Sequence, residues 1–249
     1  LICRRSPLTK CKGAASNKRT TRGEPKRIMQ LCHMDEIGFY VRYIDDNGFI
    51  WVDPAGGFDT RNLFSRRVLV CTESGDLKGV MKPGGGPVHI SGPDERYKVP
   101  EAKEFFVDLG MNAADVRKRV VVGDYIVMDE PFLEMGVKLV SKALDYRVAC
   151  WLGIESVRQL AKSGAGHACE IVVAFTTQEE VGLRGARTAA FAVQPDIGLG
   201  IDVTLSCDTP GVPEHERVTK QGDGFALHLK DSSFISDRSL VERVDGIAK

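Results

Sequence analysis

Glu170-Ile171-Val172-Val173-Ala174-Phe175-Thr176-Thr177-Gln178-Glu179-Glu180 is an apolar, β-prone run that breaks off into polar and acidic residues. Continuous apolar character over so few positions fits a strand buried on both faces. Residues 182–192 then read as a helix, and Ile197-Gly198-Leu199-Gly200-Ile201 is a second strand candidate, closed by Asp202. Strand, helix, strand predicts a mostly parallel sheet with helices on its faces, because a parallel neighbour is reached through a crossover that packs back on the sheet. Immediately upstream, Val148, Trp151, Leu152, Ile154, Val157 and Leu160 recur at helical spacing, and Ser163-Gly164 ends that helix.

Further upstream, Ile28-Met29-Gln30-Leu31-Cys32 and Ile37-Gly38-Phe39-Tyr40-Val41 are two strands meeting at a polar junction, His33-Met34-Asp35-Glu36. Between about 44 and 134 the texture changes. Phe49-Ile50-Trp51-Val52, Arg67-Val68-Leu69-Val70-Cys71, Phe105-Phe106-Val107 and Tyr125-Ile126-Val127-Met128 are short β-prone runs separated by turns such as Pro83-Gly84-Gly85-Gly86. Their spacing predicts a small β-barrel or sandwich. The expected architecture is α/β, a mostly parallel sheet with flanking helices, together with this β-rich segment. No internal repeat is present.

Bulk properties narrow the function classes. With 249 residues and 43% hydrophobic content, the chain can bury a sizeable core. Lys+Arg and Asp+Glu are both 34, so the total charge favours neither nucleic acid nor an anionic membrane. No apolar run has the length of a membrane span, and no signal peptide is evident. Seven cysteines, odd in number and without a C-x-x-C pair, fit reduced thiols in a cytoplasmic protein. The basic first 27 residues carry no aromatic residue to stack on bases, so they read as a solvated surface loop rather than a phosphate-binding arm.

In open α/β sheets ligands gather beyond the carboxyl ends of the strands. His33 and Asp35, Glu179 and Glu180, and Asp202 each follow an apolar run, and Asp145 sits just ahead of the amphipathic helix. One imidazole with several carboxylates suits a divalent cation such as Zn, Co or Mn. Adjacent side chains on extended backbone point opposite ways, so one acid of the Glu179-Glu180 doublet can ligate while the other acts as a base. A paired metal site activates water for peptide hydrolysis and can anchor a substrate's free amino group. Plainer readings stand beside each residue: a hydrogen-bonded histidine for His33, a turn cap for Asp202, an acidic helix start for the doublet and an N-cap for Asp145.

These segments resemble the M42 metallopeptidases, which include glutamyl aminopeptidases and tetrahedral aminopeptidases. The likeness is carried by His33-Met34-Asp35-Glu36-Ile37-Gly38-Phe39, by Lys142-Ala143-Leu144-Asp145-Tyr146-Arg147, by residues 177–186 around the glutamate doublet and by Gly200-Ile201-Asp202-Val203. The resemblance implies a zinc-peptidase-like catalytic domain and two metal ions, Zn or Co with Mn as a further option. It implies that His33, Asp145 and Asp202 hold one ion, that Asp145 bridges to a second held by Glu180, that Glu179 is the general base, and that Asp35 orients His33. It further implies that residues 37–134 are an inserted β-barrel domain interrupting a catalytic domain made of 1–36 and 135–249, that substrates are peptides, and that homo-oligomers, dimers and dodecamers, assemble through the inserted segment.

Two departures are visible. Tyr146 stands where the family commonly has Asp or Asn. Family members also continue past the equivalent of Lys249 into a stretch that supplies a last histidine ligand, and His89, His167, His215 and His228 lie outside that ligand's context. The expectation is therefore that this polypeptide binds one ion better than two. Two rival readings remain, an impaired homologue that only assembles or binds peptides, and a glycoside hydrolase, which needs two acids set on opposite sides of a bond.

Overall fold

The computed structural model describes residues 9–11, 25–87 and 89–249; most of the basic N-terminal segment lies outside them. In chain order the strands are β1 (Thr9–Cys11), β2 (Arg27–His33), β3 (Gly38–Ile44), β4 (Ile50–Ala55), β5 (Arg66–Thr72), β6 (Gly75–Pro83), β7 (Phe105–Asp108), β8 (Tyr125–Met128), β9 (Leu133–Met135), β10 (Lys138–Val140), β11 (Glu170–Thr176) and β12 (Ile197–Gly200). The helices are α1 (Pro93–Arg96), α2 (Ala113–Arg119), α3 (Leu144–Ser163), α4 (Arg184–Val193) and α5 (Arg238–Ala248). Val203–Lys249, which holds α5 with Asp237 as its N-cap, is a compact unit separate from the residues before it.

The sheet that carries the candidate site has the order β1-β11-β2-β12. β2 runs parallel to both β11 and β12, and β1 adds an antiparallel edge. That edge corrects the expectation for the first 27 residues, since Thr9–Cys11 is a strand paired with β11 rather than part of a surface loop. Side chains alternate across the sheet. Met29, Val172 and Ala174 pack with Val193 on the α4 side, while Cys32 and Val173 pack with Tyr146 and Ala149 of α3 on the other. α3 lies so close that a Cβ on Gly153 would sit 2.8 Å from Val173 Cγ1 and 3.1 Å from Cys32 Sγ, so glycine is needed there.

β3 to β8 close into a barrel in the order β3-β4-β7-β6-β5-β8, every neighbouring pair antiparallel. Phe39 and Val41, Ile50 and Val52, Val68 and Val70, and Phe105 and Val107 are at most 1% exposed, so every second residue of these strands points inward. Val116 of α2 joins this core. The expected barrel is thus present and closed. β6 was not anticipated: Leu77 and Met81 are buried, but Lys78 between them and Asp76 and Lys82 beside them dilute the apolar signal. The barrel tryptophan, Trp51, donates from Nε1 to Asp45 Oδ2 at 3.3 Å, whereas Trp151 lies largely exposed on α3. β9 and β10 form a separate, exposed ribbon. No helix of the described residues is long and apolar enough to cross a membrane.

Candidate metal centre

The parallel register decides which residues meet. Thr176 of β11 lies opposite His33 of β2, so the turn after each strand leaves the sheet at the same edge, and the Met34 N–H donates to the Thr176 carbonyl at 2.8 Å. Asp202 leaves that edge two residues beyond β12, after the Ile201 N–H donates to Leu31 O at 3.2 Å. α3 delivers the remaining acid from its head. Asp145 and Tyr146 have non-helical φ/ψ (−84°, 99° and −136°, 46°) and are joined by a cis peptide, so the regular helix starts after them. At the other end Gly164, at φ 67°, stops α3 where Ser163-Gly164 predicts.

The His33 side chain, 4% exposed, is the hub. Its Nε2 lies 3.3 Å from Asp145 Oδ1 and 3.9 Å from Glu179 Oε2. Nδ1 faces Asp35, 3.2 Å from the backbone carbonyl and 3.4 Å from Oδ1. The second Asp35 oxygen accepts the Glu180 N–H at 3.3 Å, so one carboxylate ties the turn after β2 to the doublet after β11. Asp35 Oδ1 is the single buried side-chain polar atom without a hydrogen bond among the described residues. At 3.4 Å its approach to Nδ1 is an ion-pair contact, charged only when the ring is protonated.

Two groups of side chains bring ligand-type atoms within 4.8 Å of one another: His33, Asp145 and Asp202, and His33, Glu179 and Glu180. Nitrogen and carboxylate donors converging on one point fit a divalent ion of borderline or hard character. The doublet geometry differs from the expectation. Residues 177–180 follow β11 as loop and turn, with Gln178 at φ 61°, so the alternation of extended backbone does not apply and both carboxylates reach the same imidazole.

Crowding of acids sets the electrostatics. Burial pushes the His33 imidazole down, but the Asp35 carboxylate beside Nδ1 and the charges of Glu179 and Asp202 outweigh it and raise the ring to about 9. Burial, then the charges of Asp145 and Glu179, lift Glu180 to about 7. Burial raises Glu179 as well, with His33 opposing and Asp202 adding to it. Burial would raise Asp35 too, yet the His33 ring beside it and hydrogen bonds from backbone N–H groups hold it below the usual carboxylate range. In such a field a divalent cation replaces a proton and relieves the repulsion among the acids.

With the geometry in place, the sequence comparison is decisive. The sequence pattern of the M42 glutamyl aminopeptidase family matches residues 13–249. The chain belongs to that family. A relative from Acetivibrio thermocellus is 35% identical over 229 residues, covering 92% of this chain and 64% of its own length. Among solved structures, a TET aminopeptidase from a marine sediment thaumarchaeon superposes with a TM-score of 0.85 at 36% identity, covering 91% of this chain and 64% of that one. A Pyrococcus horikoshii TET peptidase, described as assembling into a tetrahedron or a large octahedral shell, has a TM-score of 0.72 at 29% identity, covering 91% and 66%. The M42 chain therefore spans a little under two thirds of the length of the first two relatives.

Several contributors to this M42 site were not legible in the sequence. Tyr146, 2% exposed, stacks on His33 with ring centroids 5.4 Å apart and planes 25° from parallel, so the residue that departs from the family pattern clamps the imidazole. Glu36, 10% exposed, accepts from Lys142 Nζ at 2.7 Å and Arg147 Nη2 at 3.0 Å, while its carbonyl accepts the Tyr125 hydroxyl at 2.6 Å. It fastens the barrel and the head of α3 to the turn that carries Asp35. Gly56, at φ 96°, lets the barrel approach the site, because a Cβ there would stand 2.5 Å from Ile37 Cγ2 and 3.4 Å from Glu180 Cβ. Ala143, Gln178 and Leu183 also have positive φ and flank Asp145 and the doublet, which is strain gathered at the site. The other histidines lie elsewhere in local contacts, His167 with the Cys169 carbonyl, His215 with Glu216 and His228 with Asp231, while His89 is exposed.

Proposed function

We propose that this chain is a metal-dependent aminopeptidase that removes the N-terminal residue of peptides. The observation that carries the reading is the convergence of His33, Asp145, Asp202, Glu179 and Glu180 at the carboxyl edge of a parallel sheet. In this reading His33, Asp145 and Asp202 hold one ion, and Asp145 with Glu180 the second, each Zn or Co, with Mn a further option. Divalent ions in such a pair acidify a water, polarise the scissile carbonyl and offer an anchor for the substrate amine. Glu179 takes the proton of the attacking water and passes it to the leaving amine as the C–N bond breaks. Asp35 holds the Nδ1 side of His33 so that Nε2 faces the acids.

The catalytic domain comprises 1–36 and 135–249, and the barrel segment 37–134 provides contacts between subunits of a homo-oligomer, a dimer or dodecamer, in the cytoplasm. Cys32, Cys71, Cys150, Cys169 and Cys207 are free thiols, in keeping with that compartment. The imidazole at the centre of these acids would be idle in a glycoside hydrolase, which works with two carboxyls on opposite sides of a sugar bond.

Glu179→Gln tests the assignment. Turnover of fluorogenic aminoacyl substrates by the Co- or Zn-loaded protein is expected to fall by about 10²–10⁴, with metal content by mass spectrometry unchanged. A variant as active as the parent overturns the role of Glu179, and parent activity that survives a strong chelator overturns the metallopeptidase reading.

A further inference from the structure

Beside the candidate metal centre lies a small cleft of about 210 Å³, below the roughly 300–1,000 Å³ of sites that take a whole small molecule and of a size for a single side chain. It opens on Asp145 and Glu180, so whatever occupies it lies next to the proposed reacting centre. Ile37, Met128 and Leu144, all half-buried, give it apolar walls. The charges around it away from the metal centre are engaged: Lys142 with Glu36 at 2.7 Å, and Glu130 with Arg66 at 2.7 Å. An anionic guest would face Glu36, Glu130, Asp145 and Glu180 with only Lys142 among the lining residues to neutralise it, whereas an apolar guest packs on Ile37, Met128 and Leu144 and leaves these pairs intact.

Met128 is the last residue of β8 and Ile37 immediately precedes β3, so the barrel and its hinge form one wall while the head of α3 forms the other. Gly56 keeps that wall close to Glu180. We propose that the cleft seats the side chain of the substrate's first residue and selects an uncharged, apolar one, with Met128 as a specificity-determining residue. The inference rests on the aminopeptidase reading and gives the barrel a part in substrate choice within its own chain.

The test fills and enlarges the cleft. With the metal-loaded protein, Met128→Trp is expected to lower kcat/KM for leucyl and methionyl substrates by about tenfold or more, a range typical of single apolar contacts, while alanyl substrates change less than about threefold. Met128→Ala is expected to shift preference toward phenylalanyl substrates by about tenfold. Variants whose melting matches the parent but whose losses are uniform, or absent, across the panel overturn the proposal.

A binding measurement separates the two levels. By calorimetry on Glu179→Gln protein, Leu-Gly is expected to bind at least about tenfold tighter than Gly-Gly, a difference that Met128→Trp erases. Discrimination without turnover of any substrate by the parent would sink the hydrolase reading and leave the cleft assignment standing. Turnover with no discrimination, or binding of neither dipeptide, overturns the cleft assignment.

Discussion

In the proposed metal site a cation would compete with a proton for Nε2 of His33. In the metal-free protein the surrounding acids raise its pKa from 6.5 to about 9, and Glu180 moves from 4.5 to about 7 for lack of a counter-charge. Both folded values exceed the unfolded ones, so the stability that these groups contribute is fully present below the unfolded value and is lost as pH rises through the folded value. For Glu180 the loss runs from about 4.5 to about 7, and for His33 from 6.5 to about 9. Asp35, shifted downward, acts in the opposite sense at the acid end. The melting temperature of chelated protein is therefore expected to fall between pH 5 and pH 9, and saturating metal to restore it at the alkaline end. Scanning fluorimetry in chelator that shows no fall over that range contradicts this account.

At the same scale, six residues could be picked from the sequence because they follow apolar runs or precede a helix: His33, Asp35, Asp145, Glu179, Glu180 and Asp202. Tyr146 and Glu36 could not, because the ring stack and the doubly engaged carboxylate exist only once α3 and the barrel have docked.

Among the elements, α3 couples packing to chemistry. Its amphipathic spacing and its Ser163-Gly164 stop were legible, since helical period and a left-handed glycine cap are local properties. Its irregular head was not, since non-helical backbone at Asp145 and Tyr146 is imposed by the site. Gly153 is where α3 touches the sheet. Gly153→Leu is expected to push the helix off Val173 and Cys32, lowering stability by roughly 1–3 kcal/mol, as overpacking does. Because Asp145 and Tyr146 ride on the same helix, metal affinity should fall with it. A urea midpoint equal to the parent's would show that the contact yields without cost.

β6 went unread in the sequence because lysines and an aspartate interrupt its apolar positions. Barrel closure supplied what the pattern lacked, pairing β6 on both edges, with β5 and β7.

For the molecule as a whole, the proposed ligands come from the ends of β2, β11 and β12 and from the head of α3 and meet only in the folded chain, so metal binding would be linked to folding. An ion at about 100 times its Kd would stabilise the fold by about 2.7 kcal/mol per site. At roughly 2–4 °C per kcal/mol for a domain of this size, chelation is expected to lower Tm by about 5–11 °C. Calorimetric scans with and without chelator check this, and coincident transitions would argue against a preformed site. Barrel strands and α/β elements were legible in the change of hydrophobic period along the chain, whereas the compact unit Val203–Lys249 was not, because that stretch offers few periodic apolar runs.

The chain has two tryptophans, Trp51 in the barrel and Trp151 on the helix that bears Asp145. Each major part of the α/β and barrel assembly thus carries its own intrinsic fluorophore, one tethered to Asp45 and one facing solvent. Replacing either by phenylalanine leaves an emission signal from the other part alone, so the order in which the two parts lose structure can be watched without an added dye.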